Sequence, residues 1–265
     1  MTNILTEGSS KIFISRGDRT LMTFKDDIHG AMRTDQITGT GKFRKIFTYH
    51  FYRYMQARGI NTHLDDSQGS ALTDAGIFVH MLQPIKIEIL VRNVARGHWC
   101  DDHKFPIFEG GEIFKTPIVE FCLKWKHQRK DGTIIDDPRI SPELIIALHS
   151  LAKDPNVRGN MLVSLDEAEK LRTLALDINN LYQELLREPG WILEDFKFEV
   201  GIDKDRNFIL IDEISPDSSR IRDKSGASLT KDLFRQKKSQ HEIVLSYELL
   251  AQAAEKCLSM ENSHE

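Results

Sequence analysis

The chain is 265 residues long, 40% hydrophobic and 29% charged, and its 36 Lys and Arg against 40 Asp and Glu leave a net charge of −4. This is the composition of a globular chain with a large core, which excludes collagen, intrinsic disorder and a small disulfide scaffold and makes neither a disulfide nor a structural metal necessary for folding. No apolar run reaches about 18 residues, MTNILTEGSS has no basic stretch leading into an apolar one, and Cys100, Cys122 and Cys257 form no C-x-x-C pair, so a soluble cytoplasmic protein without membrane or zinc site is expected.

In chain order, alternation predicts strands over 11–15 and 21–25, a helix over about 42–58, and strands over 77–82 and 85–91. The helix mixes Lys42, Arg44, Lys45, Arg53 and Arg58 with aromatic residues, a pattern seen in nucleic-acid binders. Phe43, Phe47, Phe51 and Tyr54 nevertheless fall at i, i+4, i+8 and i+11, the stripe of an amphipathic core helix, and the net charge is negative, so no nucleic-acid partner is expected. The second half reads as mostly helical. Ser141-Pro142, Ser164-Leu-Asp-Glu167 and Ser239-Gln-His-Glu242 mark helix starts, and Leu171, Leu174, Ile178, Leu181 and Leu185 line one face of a helix that stops before Pro189-Gly190. His241-Glu242 is not a zinc-protease motif, because Leu245 stands where the second His would be needed.

One hairpin interrupts those helices. Strand alternation over 193–200 puts Asp195, Lys197 and Glu199 on one face and Phe196, Phe198 and Val200 on the other. Asp203-Lys-Asp-Arg-Asn207 supplies the turn, and residues 208–214 return with Phe208, Leu210 and Asp212 on a common face. In a simple register Glu199 and Asp212 approach one another. Two carboxylates close together repel in a low dielectric, and a divalent cation such as magnesium, held by one or two carboxylates and substrate phosphates, removes the conflict. Charge pairing across a solvated strand face is the alternative. The following Ser215-Pro-Asp-Ser-Ser-Arg220 is rich in hydroxyls and ends in an arginine suited to phosphate or carboxylate, although a simple turn explains Ser-Pro-Asp equally well. Glu7-Gly-Ser-Ser-Lys11 reads as a loop able to cover phosphates, although neither a P-loop nor a dinucleotide fingerprint is present.

The order of these pieces resembles the phosphoribosylaminoimidazole-succinocarboxamide synthases (SAICAR synthetases). Glu7-Gly-Ser-Ser-Lys11, Phe24-Lys-Asp-Asp27, Gly59-Ile-Asn-Thr62, Val91-Arg-Asn-Val-Ala-Arg-Gly97, Pro117-Ile-Val-Glu120 with Lys124, Asp137-Pro138, Asp195-Phe-Lys-Phe-Glu-Val-Gly201, Asp212-Glu-Ile-Ser-Pro-Asp-Ser-Ser-Arg220 and Lys231-Asp-Leu-Phe-Arg235 occur in family order. The resemblance implies a two-lobed, ATP-grasp-like α+β fold, with a β-rich N-terminal lobe over 1–84 covering the nucleotide and a larger lobe over 85–265. It implies an ATP-dependent carbon–nitrogen ligase of purine biosynthesis that joins L-aspartate to a phosphorylated aminoimidazole carboxylate through an acyl phosphate, using ATP and Mg2+.

Position by position, the resemblance makes Glu199 and Asp212 magnesium ligands and Lys11 a contact to ATP phosphate. Arg92, Ser219 and Arg220 become the cradle of the ribonucleotide phosphate, and Lys197 bridges substrate and nucleotide. Lys124 and Asp137 fall near the amino acid and imidazole, and Asp217 and Arg235 match active-site positions. The chain departs from the family pattern at Ser9, Thr40, Arg44-Lys45, Ile221-Arg222 and the long 125–136 connection, and His98 stands where a phosphate-binding serine is usual. A paralogous ligase acting on a different carboxylate, and a nucleotide-binding module without turnover, are the competing readings. A homo-oligomeric state is left open.

Overall fold

Short amphipathic strands and one aromatic-striped helix build the N-terminal part. The computed structural model describes residues 3–30, 32–97, 99–100 and 110–261. Strands β1 (Asn3–Glu7), β2 (Lys11–Arg16) and β3 (Arg19–Phe24) are antiparallel neighbours, and Gly17, at φ 67°, supplies the left-handed turn of the β2–β3 hairpin. Strands β4 (Asp27–Gly30) and β5 (Arg33–Gln36) form a separate hairpin before helix α1 (Thr40–Gln56), and β6 (Ile77–Val79) completes the sheet in the order β1-β2-β3-β6.

Next come β7 (Gln83–Val94), β8 (Ile113–Leu123), the hairpin of β9 (Lys126–Gln128) and β10 (Ile134–Asp136), and helices α2 (Pro142–Leu151), α3 (Pro155–Gly159) and α4 (Leu165–Arg187). Strands β11 (Ile192–Ile202) and β12 (Phe208–Ile211) then join β7 and β8 in an antiparallel sheet ordered β12-β11-β7-β8. Strand β13 (Ser219–Arg222) and helices α5 (Asp232–Arg235) and α6 (Gln240–Glu261) end the chain.

Two compact units result, one of Met1–Met81, Tyr182–Leu193 and Glu213–Glu265, the other of Leu82–Leu181 and Glu194–Asp212. Tyr182–Leu193 and Glu213–Glu265 thus fall in the same unit as the N-terminal residues. Among the described residues no helix is long and apolar enough to cross a membrane.

In the first unit the aromatic stripe of α1 is core: Phe47, Phe51 and Tyr54 are buried, and Phe51 lies 4.6 Å from the Tyr182 ring. Helix α6 packs on α1, and its Ile243 and Tyr247 join Ile28, Ile37, Leu233 and Phe234 in one cluster. In the second unit Ile87, Ile89 and Val91 of β7 are buried, as are Phe196 and Phe198 of β11. On the same face Asn93 and Asn179 of α4 exchange amide hydrogen bonds of 2.8 and 3.1 Å, which satisfies both buried side chains.

The helix starts behave as their sequences indicate. Ser239 and Glu242 close a reciprocal capping box, and Ser141 Oγ accepts from Leu144 N. Ser164 Oγ accepts from Glu167 N, but the Glu167 carboxylate turns to Val163 N and Arg206. Periodicity predicts no strand over β8, although Pro117–Glu120 is a family motif, and the long 125–136 connection contains the β9–β10 hairpin. Strand β8 carries Pro117 and breaks strict alternation at Ile118-Val119, so local pattern does not mark it.

Gly41 opens α1 where a Cβ would sit 2.7 Å from the carbonyl oxygens of both Phe24 and Lys25. Its N–H donates to Asp26 Oδ1 at 2.8 Å, so the helix start is pinned to the end of β3. Gly41→Ala is therefore expected to destabilise the protein by about 1–3 kcal/mol, read as a lowered urea midpoint with an unchanged slope.

Candidate active site

Alternation along β7 and β11 sorts apolar residues to the buried face of the second unit's sheet and polar residues to the other. Pairing places Asp195 opposite Arg92, Lys197 opposite Leu90, and Glu199 opposite Glu88. Lys197 Nζ lies 2.8 Å from Glu88 Oε2, and Lys124, just beyond β8, reaches Glu199 Oε1 at 2.5 Å. Burial raises the Glu199 carboxyl above its ordinary value, Asp212 and Glu88 add to the rise, and Lys124 opposes it. The Lys124 ammonium is destabilised by burial, but Glu199, Glu88 and Asp212 outweigh that effect and raise it. Asp137 is raised too, by burial and then by Glu88 and Asp136, against Lys124 and Lys197.

The approach of Glu199 and Asp212 does not arise from simple strand register. Glu199 is paired with Ile211, and Val200 with Leu210, so continued alternation would send Asp212 to the apolar face with Leu210. Instead β12 stops at Ile211 and Asp212 adopts a left-handed backbone, φ 63°, from which its charge acts on Glu199 and Lys124.

Asp195 also differs from expectation. It is buried, not presented on an open polar face, and lies 3.4 Å from Arg92 Nη1. Arg92 Nε is 2.5 Å from Glu120, whose other oxygen meets Arg139 at 2.9 Å. The guanidinium expected at a phosphate is thus engaged by two carboxylates. His98 lies outside the described residues.

The remaining candidates lie in the first unit. Lys11 is buried, with Nζ 2.8 Å from Glu213 Oε1. The same oxygen lies 3.4 Å from Nη1 of the wholly buried Arg44, which also approaches Asp217 at 3.2 Å. Burial alone would raise the Glu213 carboxyl, but Lys11 and Arg44 outweigh it and bring it down to about 2. Asp217 accepts from the Tyr247 hydroxyl at 2.6 Å and faces Lys231 at 3.4 Å. Burial, followed by Asp217, raises the Tyr247 phenol well above its ordinary value.

Ser215, Ser218 and Ser219 knot their loop internally: Ser219 Oγ donates to the Ser215 carbonyl at 2.8 Å and meets the Tyr182 hydroxyl at 2.9 Å. Arg220 lies 3.4 Å from Asp232, which also pairs with Arg235. Lys11, Asp217, Ser219, Arg220 and Arg235 therefore share the first unit, whereas Arg92, Lys124, Asp137, Lys197, Glu199 and Asp212 share the second.

Glu88 and Tyr247 lie outside every motif quoted above, and Glu120, Glu213 and Asp232 lie inside motifs with no role of their own, yet all five meet candidate residues. Glu88 had a signal, because it alternates with Ile85, Ile87, Ile89 and Val91. Arg44-Lys45 departs from the family pattern as a pair of extra charges. Arg44 is interior, and Lys45 donates to the carbonyls of Thr73 and Asp74.

A family model described as SAICAR synthetase matches residues 5–249. The phosphoribosylaminoimidazole-succinocarboxamide synthase of Caldivirga maquilingensis is 30% identical over 250 residues, 93% of each chain. The chain belongs to the SAICAR synthetase family. Its mixed α/β fold agrees with solved members. A phosphoribosylaminoimidazole-succinocarboxamide synthase from Ehrlichia chaffeensis superposes with TM-score 0.78 at 27% identity, covering 95% of this chain and 98% of that one. A SAICAR synthetase in complex with ADP gives 0.77 at 28% identity, covering 95% and 97%. The family match spans both charged clusters, from Lys11 to Tyr247.

The Glu213 carboxyl, held below its unfolded value of 4.5, contributes stability that is fully present above that pH and is lost as pH falls through about 2. Glu213→Gln is expected to cost about 3–5 kcal/mol at pH 7 by leaving buried cations poorly compensated. The difference from the parent protein should shrink below pH 4.5 and vanish near pH 2, checked by urea unfolding across that range.

Proposed function

We infer that the chain is the ATP-dependent ligase that forms SAICAR, joining L-aspartate to 5-amino-1-(5-phosphoribosyl)imidazole-4-carboxylate in purine biosynthesis. The observation that carries this reading is the family match over 5–249, in a chain whose Lys124, Lys197, Glu88, Glu199 and Asp212 act on one another at one polar site. The acceptor carboxylate oxygen attacks the γ-phosphorus of ATP, ADP leaves, and an acyl phosphate forms. The aspartate amine then attacks the acyl carbon, phosphate departs and the amide remains. A carboxylate is a poor electrophile, so the first step makes the second feasible, and catalysis rests on positioning and on neutralising phosphate charge.

In this reading Lys11 binds nucleotide phosphate. Lys197, whose side chain is 47% exposed and steered by Glu88, meets the transferring phosphoryl group as a compact point charge. Arg92, His98, Ser219 and Arg220 serve the ribonucleotide phosphate, Lys124 and Asp137 the amino acid and imidazole, and Asp217 and Arg235 complete the site. In the same reading the architecture is two-lobed and ATP-grasp-like, and the enzyme works in the cytoplasm.

The donor set suits magnesium. Glu199 and Asp212 are hard oxygen donors whose repulsion is written in the raised Glu199 carboxyl, and a divalent cation relieves it. Among the described residues no three His, Cys, Asp or Glu side chains form a metal cage, so the two carboxylates would hold the ion together with water and phosphate oxygens. When bound, it supplies charge neutralisation to the phosphates.

The deciding experiment is ADP release with magnesium, ATP, L-aspartate and the carboxyaminoimidazole ribonucleotide, with the product weighed by mass spectrometry. Aspartate-dependent formation of the succinocarboxamide is the expected result; ATP binding without it would point to another carboxylate acceptor. Glu199→Gln and Asp212→Asn should each lower turnover by ~10²–10³-fold with little change in the unfolding midpoint. Arg220→Ala should raise the KM for the phosphorylated acceptor by about tenfold, at nearly unchanged kcat.

A further inference from the structure

Arg44 differs from every other arginine in the described chain in being wholly buried on α1. Its planar fork reaches four oxygens. Nη1 faces Glu213 Oε1 at 3.4 Å and Asp217 Oδ2 at 3.2 Å; Nη2 donates to the Ser10 carbonyl at 3.2 Å and the Lys25 carbonyl at 2.5 Å. Two of these partners converge on one neighbour. Ser10 immediately precedes Lys11, and Glu213 Oε1 is the atom that holds the Lys11 ammonium at 2.8 Å. The backbone beside Lys11 and the carboxylate at the tip of its side chain are therefore tied to the same guanidinium.

We propose that Arg44 is a positioning residue for Lys11, fixing both the loop that carries it and the carboxylate that aims its ammonium. The Lys25 bond extends the restraint, because Lys25 N donates to the Ser10 carbonyl at 2.9 Å and closes the base of the 8–11 loop. Stability alone is a weak reason to keep such a group. Desolvating a guanidinium and two carboxylates costs several kcal/mol, and apolar residues of similar volume commonly fill such sites without loss. What apolar residues cannot supply is a rigid set of donors at fixed angles to two carbonyls and two carboxylates, and a lysine offers no such fork.

This inference rests on the reading of Lys11 as a nucleotide-phosphate contact, and the test separates the two. In the full-length protein, Arg44→Gln and Arg44→Lys are compared with the parent by acetic anhydride labelling of Lys11, read by peptide mass, with urea midpoints confirming the fold. Labelling of Lys11 should rise several-fold in Arg44→Gln, and to a smaller extent in Arg44→Lys. The KM for ATP should rise about tenfold in Arg44→Gln with kcat within about twofold, the size expected from a displaced charge-assisted contact. In a Lys11→Met background Arg44→Gln should have no further effect on that KM. If Lys11→Met leaves the KM for ATP unchanged, the phosphate reading of Lys11 fails while the labelling still decides the role of Arg44. Should Arg44→Gln not fold, Arg44→Lys alone carries the comparison. Unchanged Lys11 labelling in a folded variant overturns the proposal.

Discussion

Repulsion between Glu199 and Asp212 is the constraint around which the second unit's polar face is arranged. Burial and like charge both disfavour the ionised Glu199, and Lys124 offsets them only in part. The backbone maintains the conflict by taking a left-handed conformation at a non-glycine residue, Asp212, where regular strand would have sent the carboxylate to the apolar face. Such a conformation costs on the order of 1 kcal/mol or more and persists only where neighbouring structure enforces it. Here the β11–β12 pairing holds the residues up to Ile211, and Glu213 is anchored by Lys11 and Arg44 immediately afterwards.

The two charged clusters illustrate opposite electrostatic solutions. In the first unit Glu213 and Asp217 are buried or nearly so, but each is matched by cations, and Glu213 is pushed far into its ionised form. In the second unit Lys124 and Lys197 are partly exposed beside Glu88 and Glu199, and the Glu199 and Asp137 carboxyls rise. A carboxylate matched by cations keeps its charge unaided, whereas crowded carboxylates favour an added cation. Arg92 shows that the distinction is not visible from residue type: its clasp by Glu120 and Asp195 gives it the matched kind of environment.

Much of this was legible in the chain. The stripe of Phe47, Phe51 and Tyr54 decided that α1 is a core helix despite its basic residues, because side chains at helical spacing share a face. The Ser239–Glu242 box and the 203–207 turn act through contacts between near neighbours: Asp203 Oδ1 accepts from Asp205 N and Asn207 N at 2.9 and 2.8 Å. Alternation in β11 separated Phe196 and Phe198 from Lys197, and the motif order from Glu7 to Arg235 identified the family. Elements without a clean periodicity were harder to see. Strand β8 lacks clean alternation around Pro117, and the β9–β10 hairpin emerges inside what reads as a long connection.

The sequence by itself determined the periodicities, the caps, the turn chemistry and the family, all of which are carried by residues within a turn or two of one another or by ordered motifs. Only the tertiary structure decided that Arg44 is interior, that Glu213 joins it to Lys11 across 202 residues, and that Asp212 leaves its strand to face Glu199. The reason is physical. The ionisation of a side chain depends on burial and on charges a few ångström away, and those neighbours are chosen by how distant segments meet, which local pattern does not encode.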